Sequence, residues 1–216
     1  DRGNILGLQV VSVEEEPRVV ELRGDDVNLV HHAYGTNGII TEAEMPLATA
    51  WLWQETIVAF PSFMSGVCFA HALASADGVP KKLVSVLNAR TFGLLSHLKE
   101  HGDAGCDGHV LAMVAQPFME PFEELVRDYG GRITSRAAEG QGPYHAPLYE
   151  YSWGHVRQQA SRTQADLTIA VGLYVGSDLL AAIERTYRRL GEVAGMHFEA
   201  KRFDGQLGFQ GMPLFT

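Results

Sequence analysis

Beyond residue 48 the sequence alternates apolar, strand-like runs with helical ones, and this order restricts the possible folds more than any other feature. Glu55 to Phe60 is a short apolar strand. Pro61 suits a first helical turn, and Ser62 to Ala76 carries small and apolar residues at helical spacing until Asp77, Gly78 and Pro80 stop it. Lys82 to Asn88 reads as a strand, and Thr91 to Lys99 as a helix ended by His101-Gly102. His109 to Gln116 is a strand, Pro117 to Tyr129 an amphipathic helix closed by Gly130-Gly131, and Arg132 to Ser135 a return strand. A loop over 136–147 leads to an aromatic, partly helical stretch from Leu148 to Ala160. Leu167 to Val175 reads as a strand, Ser177 or Asp178 caps a helix to about Ala194, and His197 to Phe203 is again a strand. Gly205 to Phe215 reads as a glycine-rich end. Three such strand–helix–strand units predict an α+β domain, an antiparallel sheet with helices on one face, for which the ferredoxin-like plait is the natural arrangement.

Residues 1–48 have a different texture. Ile5 to Val13 and Arg18 to Leu22 read as a hairpin about Pro17, and Gly24-Asp25-Asp26 as a turn. Asp26 can cap a helical turn over Val27 to His32. Gly35-Thr36-Asn37-Gly38 is a tight loop whose glycines permit positive φ and close backbone approach; it enters a strand from Ile39 to Met45. Two domains follow, 1–48 and 49–216, with no strict repeat and no low-complexity segment.

Composition excludes several classes. With 46% hydrophobic and 20% charged residues, the chain is globular rather than disordered. No stretch approaches the roughly 18 apolar residues of a membrane span. Lys and Arg number 17 against 26 Asp and Glu, a formal charge of −9, which argues against nucleic-acid partners. The densest basic stretch, Arg185, Arg188 and Arg189, is interleaved with Glu184 and Glu192 and reads as a solvated helix face. Two cysteines, no CxxC pair and no signal-peptide pattern suggest a cytoplasmic setting. His101 and His109 flank Cys106 in a loop of turn residues, and no metal site is expected there.

Two segments carry a resemblance. Asp1-Arg2-Gly3-Asn4-Ile5-Leu6-Gly7-Leu8-Gln9-Val10-Val11 and His32-Ala33-Tyr34-Gly35-Thr36-Asn37-Gly38-Ile39-Ile40-Thr41-Glu42 resemble the FAD-linked oxidases and dehydrogenases whose FAD domain is of the para-cresol methylhydroxylase or vanillyl-alcohol oxidase type. The resemblance implies that 1–48 is the C-terminal remnant of a PCMH-type FAD-binding domain and that 49–216 is its substrate cap. It places Gly38, Ile39 and Ile40 against the flavin, with Thr36, Asn37 and His32 as further cofactor-binding candidates; His31 and His32 read equally well as surface residues. Leu148-Tyr149-Glu150-Tyr151-Ser152-Trp153-Gly154-His155 resembles a Tyr-x-x-x-Trp-x-His string that some members place over the reacting face of the flavin. His155, Trp153 and Tyr151 then become catalytic candidates, and Arg157 a holder of a substrate carboxylate. The competing readings are an aromatic cap core, a structural histidine and a surface ion pair.

The expectation is the C-terminal part of an FAD-dependent oxidoreductase that oxidises a hydroxy acid or alcohol by hydride transfer. The glycine- and serine-rich loop that wraps the FAD pyrophosphate in that family has no counterpart here, and the chain starts at Asp1, so the expected piece holds FAD weakly or not at all and is inactive alone. The missing FAD half on another chain, or a homodimer, is an expected partner besides the small-molecule substrate. The alternative is a stand-alone ferredoxin-like module that binds a small ligand or dimerises without catalysis.

Overall fold

A computed structural model describes residues 4–203 and 205–216. The first three residues of the motif quoted above, Asp1, Arg2 and Gly3, lie outside the described residues. The chain divides into two units, one ending at Ala50 and one running Trp51–Thr216.

The first unit is a three-stranded antiparallel sheet. Strands β1 (Gly7–Val11) and β2 (Val19–Arg23) form the expected hairpin. A 3-10 turn over Gly24–Leu29 follows, then β3 (Ile39–Glu44), which pairs on the other edge of β1. Its small core is Leu8, Val10, Val27 and Val30, with Ile5 and Leu22 packed on it. A core of this size buries little apolar area, so the unit draws only modest stability from it.

The second unit runs β4 (Trp53–Phe60), α1 (Phe63–Ser75), β5 (Lys81–Asn88), α2 (Ala89–Leu94), β6 (Gly108–Ala115), α3 (Met119–Asp128), β7 (Arg132–Ala138), α4 (His155–Ala160), β8 (Thr168–Ile169), β9 (Gly172–Tyr174), α5 (Leu179–Leu190), β10 (His197–Phe203), β11 (Gln206–Gly211) and β12 (Leu214–Phe215). Seven strands form one sheet in the order β7-β4-β6-β5-β10-β11-β9, all pairs antiparallel. In the run β4-α1-β5-β6-α3-β7 the fourth strand lies beside the first and the third lies between first and second, a βαββαβ plait. The hairpin β10–β11 and strand β9 widen the sheet beyond β5.

Alternate residues of each strand feed two cores. Val58, Val86, Val110 and Phe198 meet Phe63 and Leu73 of α1, Phe122 of α3 and Ile183 of α5. Ile57, Leu83, Leu111 and Met113 point the other way, to Phe92 of α2, to Tyr144, Leu148 and Tyr151, and to Val156 of α4. Helices on one face only therefore does not hold; the segment 144–167 covers the second face. The physical reason is legible in β6, where all eight residues are buried, a pattern a one-sided sheet does not need.

Other expectations shift locally. The helix after β5 stops at Leu94, and its N-terminus is capped by Asn88, whose Oδ1 accepts from the Thr91 N–H at 3.0 Å and also from the Met196 N–H at 2.8 Å. The strand expected over 167–175 is two short pieces, β8 pairing with β12 and β9 with β11. The glycine-rich end contains two strands, β11 and β12. Its glycines serve packing: a Cβ at Gly211 would sit 2.7 Å from the Tyr174 ring and 2.8 Å from that of Phe198.

Candidate functional site

The second face of the large sheet carries buried polar groups among its apolar ones: Glu55, Ser85, His109, His197 and Glu199. His197 and Glu199 are two apart on β10 and so share that face. The His197 Nε2 lies 2.8 Å from the Ser85 Oγ and 3.3 Å from the Glu199 Oε1. Glu199 Oε1 accepts the Ser152 hydroxyl at 2.9 Å and the backbone N–H of Trp153, while its Oε2 stands 3.4 Å from the Lys201 Nζ. Burial alone would raise this carboxyl. The bond and charge of His197, the Ser152 hydroxyl and the Lys201 charge outweigh it and hold Glu199 below the usual carboxylate value. Glu55 is the opposite case: burial dominates the amide bonds from Leu148 and Gly140 and pushes its carboxyl up.

Glu199 holds a strained turn. Trp153 has φ +52, the left-handed region that disfavours a side chain. The indole is nevertheless presented outward, 37% exposed. It stacks near-parallel on Tyr149 with centroids 6.1 Å apart, and the His155 ring lies 6.4 Å on. The Nδ1 of His155 faces the Glu150 Oε2 at 3.0 Å, both side chains being partly exposed (44% and 37%). Lys82, the extra residue of a bulge in β5, places its Nζ 4.8 Å from the centre of the Tyr149 ring and pairs with Glu139.

Trp153 and His155 are thus brought together, on one exposed ledge with Tyr149 and Glu150. Tyr151 is not part of it: the residue is buried and its hydroxyl donates to the Tyr144 carbonyl. Arg157 turns its Nε to the Leu167 carbonyl at 2.9 Å. Sequence reasoning did not single out Glu199 or Ser152. The available signal was His197-x-Glu199-x-Lys201, a polar face on a strand otherwise fit for burial.

In the first unit Thr36 and Asn37 spend their side chains on their own loop, the Thr36 hydroxyl on the Ala33 carbonyl at 2.7 Å and the Asn37 amide on that of Leu29. His32 is exposed at φ +57, its ring edge-on to His31. Gly35 needs its φ of +75. Gly38 is required from within: a Cβ there would lie 2.4 Å from the Val10 Cγ1. Ile39 and Ile40 are 55% and 48% exposed on β3, whose outer edge has no strand partner among the described residues. As a fit for FAD this is partial. An exposed strand with two isoleucines suits contact with a flat ring. The hollow beside it, lined by Glu21, Glu42, Glu44 and an Arg23 already paired with Glu21 and Glu44, does not suit a diphosphate.

At the start of β6, His109 stacks on Phe92 at 4.0 Å and its Nε2 lies 3.2 Å from the Asp103 backbone nitrogen in the preceding loop. Burial raises the Cys106 thiol, so it is no ready thiolate. Among the described residues no group of three or more His, Cys, Asp or Glu is arranged to hold a metal, and no helix is long and apolar enough to cross a membrane.

No family model and no curated protein matches this sequence. Solved structures do. The chain superposes on alkyldihydroxyacetonephosphate synthase with a TM-score of 0.61 and 12% identity, over 99% of this chain and 46% of that one. It superposes on 4-ethylphenol oxidase from Gulosibacter chungangensis, in complex with isoeugenol, with a TM-score of 0.57 and 12% identity, over 98% of this chain and 51% of that one. For p-cresol methylhydroxylase with substrate bound, the TM-score is 0.62 and the identity 11%, over 99% of this chain and 51% of that one. The chain spans about half the length of the structures it matches. All three are PCMH-type FAD-binding enzymes, and the fold seen here is the one they share over this span.

Proposed function

We propose that this chain is the C-terminal part of an FAD-dependent oxidoreductase. In this reading residues up to about 48 end the FAD-binding domain, and the rest forms the cap that receives a small hydroxy acid or alcohol. The observation that carries the reading is the turn at Trp153. A non-glycine residue held left-handed costs about 1–2 kcal/mol, and such strain collects where a side chain must be presented in one place. Here the presented side chains are an indole and an imidazole, above a buried carboxylate that serves as their anchor. The likeness to three flavoenzyme structures supports the same reading at the level of the fold.

A bound flavin supplies the hydride acceptor. The chain's own residues supply the rest. The Glu150 carboxylate stands beside the His155 Nδ1, so Nε2 is the ring atom to meet a ligand and to take a hydroxyl proton. Trp153 and Tyr149 provide a flat apolar wall that positions a small organic molecule and excludes water. Ile39 and Ile40 offer the cofactor an apolar surface.

The test uses the full-length protein with flavin bound, mixed anaerobically with a panel of 2-hydroxy acids, alcohols and phenols. Loss of the oxidised flavin absorbance with at least one of them, slowed by His155→Ala, is the expected result. If no compound bleaches the flavin, or if bleaching is as fast in His155→Ala as in wild type, the reading fails and a non-catalytic binding module takes its place.

A further inference from the structure

Strands β5 and β10 pair over only three rungs, His197 with Leu87, Phe198 with Val86 and Glu199 with Ser85. Neither strand ends there. β5 stays paired with β6 back to Lys81, and β10 with β11 out to Phe203. The two strands therefore part in mid-sheet while each remains held on its far side, and a cavity of about 200 Å³ opens between them. Its charged lining residues are Lys81, Lys82, Lys201 and Arg202; among the described residues no acidic one lines it. That is unusual in a chain with 17 cationic against 26 acidic side chains.

Three of these cations have acidic partners that are not among the described lining residues. Lys82 pairs with Glu139, Arg202 with Asp77, and Lys201 with Glu199. Lys81 donates to the Ala76 carbonyl. It is half-buried, and burial, more than the opposing pull of Asp77, lowers its ammonium; Arg202 pushes in the same direction. Gathering like charges costs free energy unless an anion sits among them. Strands that part also leave backbone N–H groups at the gap without a ladder partner, and these are further donors for an oxyanion.

We propose that the gap between β5 and β10 binds the carboxylate or phosphate group of a small molecule. The inference stands independently of the oxidoreductase reading, since it uses neither Trp153 nor His155. The experiment titrates the purified chain with inorganic phosphate and, separately, with glycolate at constant ionic strength, following the backbone amide resonances of residues 81–84 and 200–202. Saturable shifts confined to those strands are expected. Losing one charge-assisted contact should weaken binding roughly tenfold in Lys81→Met and in Lys201→Met. Arg188→Met, which removes an exposed cation paired with Glu184 on α5, should leave the affinity unchanged. Lys82→Met removes an exposed lining cation, paired with Glu139 and set against Tyr149; it should weaken binding as well, and it keeps the test usable if Lys201→Met fails to fold. Saturation by phosphate alone or by glycolate alone identifies the group the cleft takes. Shifts that do not saturate with either anion, or affinities unchanged in the lysine variants, overturn the proposal.

Discussion

Glu199 is the residue on which the second unit's polar interior turns. Its carboxylate holds the Ser152 hydroxyl, the Trp153 amide and the His197 ring at once, so Glu199→Ala takes this acceptor from the first two and leaves His197 with Ser85 alone. A loss of about 3–5 kcal/mol in chemical denaturation is expected, the range for breaking a buried charged pair. Because its folded value is depressed, Glu199 stabilises the fold above the ordinary carboxylate value, and that contribution is lost as pH falls through the folded value. Glu55 works the other way. The folded chain keeps its proton to a higher pH than the unfolded chain does, so its favourable contribution exists in acid and is lost as pH rises through the folded value. Glu55→Gln keeps an acceptor for the Leu148 amide without a buried charge, and is expected to raise stability at neutral pH but not in acid. The strain at Trp153 has its own signature. Trp153→Gly should be more stable than Trp153→Ala by about 1 kcal/mol, the reverse of the order at an ordinary helical site. Equal stabilities would mean that φ relaxes in the alanine variant.

Elements in this fold are held by caps and by close approach. Gly108 opens β6 directly over α1's start, where a Cβ would lie 2.6 Å from the Ser62 carbonyl oxygen. Backbone cannot swing aside as a side-chain tip can, so Gly108→Ala is expected to lower the melting temperature. Gly93, inside α2, has nothing within 4 Å of its would-be Cβ. Gly93→Ala should instead stabilise by about 0.5–1 kcal/mol, the helix-interior difference between the two residues. Measuring both variants by thermal melting separates a glycine kept for packing from one that packing does not require. The β5 bulge is an element-scale device of the same kind: it re-aims Lys82 toward Tyr149 and Glu139.

At the scale of the molecule, both large cores lie wholly within Trp51–Thr216. That unit alone, expressed without the first fifty residues, is expected to melt cooperatively near the temperature of the full chain. A broad transition, or loss of the near-ultraviolet signal of its buried tyrosines, would show that its stability depends on the first unit. The described residues of the first unit assemble no diphosphate-binding donors. The 216-residue chain should therefore purify without stoichiometric flavin absorbance, and a yellow one-to-one preparation would refute this.

Much of the architecture follows from local pattern. The three strand–helix–strand units, the hairpin of β1 and β2, and the helices from Phe63, Met119 and Leu179 are written in apolar spacing and in Gly, Pro and Asp stops, which act over a few residues of chain. The aromatic string around Trp153 and His155 was equally visible. What the sequence could not settle is everything that depends on pairing distant segments. Glu199 meets Ser152 across 47 residues, and His197 meets Ser85 across 112. The covering of the sheet's second face by 144–167, the diversion of Tyr151 into the core and of Arg157 to Leu167, and the parting of β5 from β10 arise the same way. Such contacts are chosen by the summed burial and hydrogen-bond satisfaction of the whole sheet, and no window of neighbouring residues carries that sum.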